Sequence, residues 1–454
     1  MEAINSGQGP YATLHPFTYM SGFSSMTEQD FHSYNTYLTR GEGVWVYDNH
    51  DNRYFYATTA VPSVGLGNRY VIDRMMEQYH ALHFASTCGQ THPLIERLSQ
   101  KLLALCGSPF GQVFYSNDGS GAIETAMRLA RQYFLSIGEK KRVKFISLEG
   151  NYHGTTFGSG SVTHMGIQES FGPSMPGCYA VPAPVGYRPP ISGTPEQVAK
   201  FCLDMLEETV FENGPDEIAA ILIEPIQGVN GVVEISPDYI RQVRELADRY
   251  GILLIMDEVA TGIGRTGSWT LSRQLGVEPD LLAVSKGLTG GYFPMGATLI
   301  SKDVAAGLFN NGGIFLHGST QSGHPVGCAA ALAVLSFLED NQLVGQVKGK
   351  GEYVMTSLKQ ELSDHVHVGD IRGHGLMIAI EFVSDKSSKE GVDYAFGQSL
   401  SADLRCQGVL GNWFNSTLIL YPPLTAQREE LDFMIDGIIR AVKGEGLHSA
   451  AAGS

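Results

Sequence analysis

At 454 residues the chain is too long for one small core, and its length predicts a large domain with a smaller one beside it. Its 31 basic and 47 acidic residues give a formal charge of −16, with no basic run longer than Lys140-Lys141-Arg142. This excludes electrostatic binding to nucleic acid or to an anionic membrane and leaves small molecules as partners. Hydrophobic residues at 43% against 17% charged indicate a folded chain rather than a disordered one.

The first ten residues have neither the basic start nor the apolar core of a signal peptide, and no stretch is long enough to span a bilayer. Six scattered cysteines without a CxxC pair suit a reducing compartment, so a cytoplasmic location is expected. Residues 1 to about 75 read as an irregular arm followed by a hairpin: 43–48, a turn at Asn49 to Asn52, then Arg53-Tyr54-Phe55-Tyr56. From about 76 to 334, continuous apolar runs at 143–148, 219–223, 252–256, 281–284 and 295–300 alternate with helical patterns. Such runs predict strands buried on both faces of a largely parallel sheet. The clearest helix has Ser236 as its expected cap, Pro237 in the first turn, Ile240, Val243, Ala247 and Tyr250 at helical spacing, and Gly251 as its stop. From 335 to 454 the pattern changes to longer helices with a short sheet at 376–382 and 418–420, ending in a small-residue tail expected to fray. The fold class is therefore α/β.

Ligands of open parallel sheets bind outside the carboxyl ends of the strands. Here the runs lead into Asn151-Tyr152-His153-Gly154, Glu224-Pro225-Ile226-Gln227-Gly228, Asp257-Glu258 and Ser285-Lys286-Gly287. Taken singly, each has an ordinary reading as turn, cap or solvated side chain. Upstream, Asn117-Asp118-Gly119-Ser120-Gly121 opens a helix, where glycines, a hydroxyl and free backbone N–H groups suit a phosphate monoester or simply make a capped turn. The turn from His317 to Pro325 could do similar work. Gly262 to Gly267 formally fits GxGxxG, but it does not link a strand directly to a helix, and no zinc spacing or P-loop is present. A phosphate cradle, a buried acid, a nucleophilic lysine and an aromatic face are together the needs of pyridoxal phosphate.

The ordered series Gly119-Ser120-Gly121, Tyr152-His153-Gly154, Glu224-Pro225, Asp257-Glu258-Val259, Gly264-Arg265-Thr266-Gly267, Ser285-Lys286-Gly287-Leu288 and Thr320 resembles the class III, fold type I, pyridoxal-phosphate-dependent aminotransferases over nearly the whole chain. Within that class it looks most like the diaminononanoate and ω-amine:pyruvate groups. The resemblance implies a mostly parallel seven-stranded sheet between helices, with a smaller α+β domain built from both termini: 1–75, 76–334 and 335–454. It also implies that Lys286 holds the cofactor and moves the proton, that Asp257 pairs with the pyridine nitrogen, and that Tyr152 and Val259 cover the two ring faces. Gly119, Ser120 and Gly121 take the phosphate, and Glu224 and Gln227 line the site from below. Thr320 reaches the neighbouring subunit's cofactor in a homodimer with shared sites.

Two departures bear on substrate. Many class III enzymes clamp a substrate carboxylate with an arginine before a Pro-Pro pair, and here that position is Asn412, followed by Trp413. The tryptophan that often lines the pocket near the first hairpin is replaced in the stretch Thr58-Thr59-Ala60-Val61-Pro62. Substrate contacts are thus expected from Phe17, Tyr19, Ala60, Asn412 and Trp413, with a substrate lacking a carboxylate near the reacting carbon, such as an amino sugar or a specialised-metabolism oxo-intermediate. Arg265 and Arg188 are the alternative clamps. An epimerase, decarboxylase or aminomutase on the same fold would share Lys286 and Asp257, and a non-catalytic member would share the fold. The aromatic arm over residues 1–40 either packs over the partner's site or forms ordinary interface.

Overall fold

A computed structural model describes residues 36–170, 172–310 and 313–444. Seven strands form the central sheet, in the order Phe110–Ser116, Gly296–Ser301, Leu281–Val284, Leu253–Asp257, Ile218–Ile223, Lys144–Leu148 and Cys178–Val181. The expected runs supply the five inner strands. All are parallel except Gly296–Ser301, which pairs antiparallel with both of its neighbours. Every residue of Ile218–Ile223, Leu253–Asp257 and Leu281–Val284 is buried, as strands covered on both faces must be.

Helices cover both faces. On one side, Pro237–Tyr250 buries Tyr239, Ile240, Val243, Leu246 and Ala247. Gly251 ends it in the left-handed region at φ 63°, and Ile252 leads straight into the next strand. Ser236 does occupy the cap position, but its side chain makes no capping hydrogen bond there, contrary to expectation, so Pro237 and the acidic first turn carry that start. On the other side, Gly119–Ser136 packs Ile123, Ala126, Met127 and Ala130 against the sheet.

A second core joins the two ends of the chain. Trp45–Asp48 and Arg53–Tyr56 form the expected hairpin, and Arg53–Tyr56 pairs in parallel with Val409–Leu410. Val44, Phe55 and Ala57 thereby share one cluster with Val354, Leu358, Ile380, Leu404, Leu418 and Ile435. The helix Leu343–Leu362 spans both cores, with Leu343 and Val347 in the first and Val354, Leu358 and Leu362 in the second. Among the described residues no helix is long and apolar enough to cross a membrane.

Candidate active site

The carboxyl ends of five parallel strands deliver polar groups to one cavity of about 400 Å³. Phe110–Ser116 runs into Asn117, Asp118, Gly119 and Ser120, and the loop after Lys144–Leu148 brings Tyr152 and His153. Ile218–Ile223 ends at Glu224, and Leu253–Asp257 at Asp257 followed by Val259. Lys286 follows Leu281–Val284, and all of these residues line the cavity.

The cradle at one end is the start of the 18-residue helix Gly119–Ser136, whose first backbone N–H groups lack intrahelical partners. Asp118 caps it by accepting from the Gly121 N–H at 2.6 Å, so Gly121 is spent on the cap and lies behind the wall, while Gly119 and Ser120 face the cavity. A side chain cannot replace the glycine here, because a Cβ on Gly119 would sit 2.8 Å from Val259 Cγ1. The loop carrying Tyr152 is held by Glu124, which accepts from Gly158 N–H at 2.8 Å and Ser159 N–H at 3.0 Å, and by Glu224, which accepts the Tyr152 N–H at 2.6 Å.

At the other end Asp257, 4% exposed, accepts from His153 Nδ1–H at 2.8 Å and from the Val259 N–H at 3.0 Å. Lys286 stands at the start of a tight turn with φ 38°, a left-handed conformation that non-glycine residues rarely hold. Ser63 fixes that turn by donating to the Gly287 carbonyl at 3.0 Å. Burial lowers the pKa of the Lys286 ammonium and so favours the nucleophilic amine, with Glu224 and Asp257 opposing and Arg265 assisting. Burial, and then the charge of Asp257, push the Glu224 carboxyl up. A helix N-terminus for phosphate, an anionic carboxylate for a protonated ring nitrogen and an amine for an aldehyde make a donor set that fits pyridoxal phosphate.

Other expected positions lie elsewhere. Thr320 is exposed on the turn beyond Ser319, whose hydroxyl accepts from Asn117 at the cavity rim at 2.8 Å. Gln227 lies beneath the wall rather than on it. Ala60 is buried behind its neighbour Val61, which does line the cavity. Trp413 is partly buried against the second cluster, stacked on Phe382 at 5.5 Å, because its strand turns it inward. Asn412, the preceding residue, is exposed and is not on the cavity wall. Phe17 and Tyr19 lie outside the described residues. The two alternative clamps are committed elsewhere. Arg265, 2% exposed, donates to the carbonyls of Leu376, Pro422 and Ala60, and Arg188 pairs with Glu381 and donates to the Lys389 carbonyl. Sequence reasoning missed Val61, Thr289, Phe293 and Met295 on the wall; they are ordinary apolar or small residues that carry no signal until the fold assembles them.

The family profile described as aminotransferase class-III matches residues 26–442. The chain is 33% identical over 438 residues to an adenosylmethionine-8-amino-7-oxononanoate aminotransferase of Geobacter sulfurreducens, covering 94% of this chain and 95% of the relative. It is 32% identical to a putrescine–pyruvate aminotransferase of Pseudomonas aeruginosa, covering 88% of each. A solved amine transaminase from an uncultivated Pseudomonas species, with pyridoxal phosphate bound, superposes with a TM-score of 0.91 at 34% identity, over 97% of this chain and all of that one.

Proposed function

Because the chain belongs to the class III aminotransferases, pyridoxal-phosphate enzymes of fold type I, we propose that it moves an amino group in two half-reactions between an amine and an oxo compound, neither needing a carboxylate beside the reacting carbon. The observation that carries the substrate reading is the wall of the cavity: among the described residues it holds Lys286 but no arginine. The names of two similar proteins, a putrescine–pyruvate aminotransferase and an amine transaminase, support amines as donors.

When bound, pyridoxal phosphate supplies an aldehyde that condenses with amines and a ring that takes up the electrons of the breaking C–H bond. The chain's own residues do the rest. Gly119 and Ser120 would hold the phosphate, with Thr320 of the partner subunit completing its cradle. Asp257 keeps the ring nitrogen protonated, because a carboxylate fixed by two hydrogen bonds favours a charged neighbour. Tyr152 and Val259, both on the cavity wall, would cover the two faces of the ring. Lys286, whose buried amine is favoured over the ammonium, would hold the cofactor's aldehyde and serve as the base that moves the substrate's proton. Glu224 orients the Tyr152 loop through its backbone bond.

Pairing of two chains is supported by the exposed apolar side chains Phe157, Ile314 and Leu316, two of them on the segment that leads to Thr320. A division near residues 75 and 335 is supported by the two cores, and a reducing cytoplasm by six unpaired cysteines. The substrate claim is tested by wild-type kinetics on a neutral amine and on its carboxylated counterpart. Efficiency should be higher on the neutral amine, and a tenfold or greater preference for the carboxylated one would refute the claim.

A further inference from the structure

Beneath the cavity, four hydrogen bonds join the half-buried Asn230 to four buried side chains in a one-way line. Asn230 Nδ2 donates to Gln227 Oε1 at 2.8 Å, and Gln227 Nε2 donates to Asn151 Oδ1 at 2.9 Å. Asn151 Nδ2 donates to His153 Nε2 at 3.3 Å, and His153 Nδ1 donates to Asp257 Oδ2 at 2.8 Å. Asn151 and Gln227 are wholly buried and His153 is 2% exposed, so water does not compete for these groups.

The orientation of both amides follows from one backbone atom. Gln227 Nε2 also lies 2.8 Å from the carbonyl oxygen of Glu149, which can only accept. That fixes the Gln227 nitrogen, which makes the facing atom of Asn151 an oxygen and turns the Asn151 nitrogen toward the imidazole. The His153 nitrogen facing a donor must then be bare, and the proton belongs on Nδ1 against Asp257. The opposite tautomer would need both amides reversed, setting Gln227 Oε1 against the Glu149 oxygen at 2.8 Å. The backbone makes room for this line: Gly150 is left-handed at φ 82°, and a Cβ there would fall 2.4 Å from Asn230 Nδ2 and 2.8 Å from Gln227 Oε1.

We infer that Asn151 and Gln227 are positioning residues that keep His153 neutral, with its proton on Nδ1, so that Asp257 presents its full negative charge to the cofactor's ring nitrogen. This rests on the reading of Asp257 given above. An imidazolium at His153 would offset that charge and weaken the ring as an electron acceptor. The other ionisable groups facing His153 are Glu224 from the end of Ile218–Ile223 and His164 from beyond the short helix Phe157–Ser161. Lys286 acts on Asp257 and Glu224 from across the cavity. Neither Glu224 nor His164 hydrogen-bonds to the imidazole, so the amide line is what selects its tautomer.

The test is ¹⁵N NMR of the holoenzyme with labelled histidine, the His153 signals being identified by their loss in His153→Gln. The wild type should show a protonated Nδ1 and a bare Nε2 throughout pH 6–8. Gln227→Glu has nearly the same shape but lacks the donor. Asn151 must then turn its oxygen to the imidazole, and Nε2 should move to the protonated range. The amine half-reaction should slow about tenfold with little change in KM, the effect of about one pKa unit at the ring nitrogen. Should Gln227→Glu not fold, Asn151→Asp sets a carboxylate against Nε2 and should give the same shift. A wild-type proton on Nε2, or an Nε2 signal unmoved in the folded variant, overturns the inference. The visible band of the holoenzyme reports separately on the cofactor site, so failure of the amide line and failure of the aminotransferase reading are distinguishable.

Discussion

Arg265 offers a test of whether a buried cation beside the cavity serves the substrate or the fold. Its guanidinium reaches three carbonyls on three separate segments, at Ala60, Leu376 and Pro422, and thereby ties the stretch after the first hairpin and two segments of the C-terminal part to the loop that follows Leu253–Asp257. Replacing it by methionine keeps much of the volume but leaves three buried acceptors without those donors, at about 1–3 kcal/mol each, or about 6 in all. Against this stands the desolvation of an arginine that pairs with no carboxylate among the described residues. Burial lowers its pKa from 12.5 to about 10, equivalent to roughly 3 kcal/mol recovered on substitution. Arg265→Met should therefore cost about 3 kcal/mol. The assay is the urea midpoint at fixed protein and cofactor concentration, together with KM for one carboxylated and one neutral amine. A loss of stability below about 1 kcal/mol, or a KM that rises selectively for the carboxylated amine as a substrate clamp requires, would refute this structural role.

Two further outcomes are expected. Gly119→Ala forces a methyl group against Val259 and should weaken cofactor binding tenfold or more by equilibrium titration; unchanged affinity would mean that the cradle is not a close-contact site. Asp48 lies in the first hairpin. Burial alone would raise its carboxyl, but bonds from Asn52, Tyr54 and the His50 N–H win and hold it down from 3.8 to about 2. A carboxyl lowered by folding stabilises above its unfolded pKa and loses that contribution as pH falls through the folded one. The stability gap between wild type and Asp48→Asn, about 1–2 kcal/mol near pH 6, should therefore close between about pH 4 and pH 2. A gap independent of pH would contradict this.

What the sequence reveals about the sheet follows burial. The five strands expected from apolar runs are its five inner strands, whereas Phe110–Ser116, interrupted by Gly111 and Gln112, and the short apolar Cys178–Val181 lie at the two edges and are part exposed. The antiparallel sense of Gly296–Ser301 is invisible in an apolar run that reads alike in either direction. The site is legible where chemistry demands a residue type at a strand end, as with Lys286, Asp257 and Glu224. It is illegible where a side chain's direction depends on tertiary pairing. Trp413 sits one residue from an exposed position and packs against the second core, because a strand alternates its faces. The line from Gln227 to His153 joins residues 74 positions apart, and only the neighbouring strands bring them together.

The most direct test of the central claim is the visible spectrum of the purified holoenzyme during titration with a simple neutral amine and then with a 2-oxo acid. Borohydride trapping and peptide mass analysis would follow in a parallel sample. The account predicts a band that the amine removes and the oxo acid restores, with the trapped cofactor on the peptide containing Lys286. A band untouched by any amine, or a label on another lysine, would contradict it.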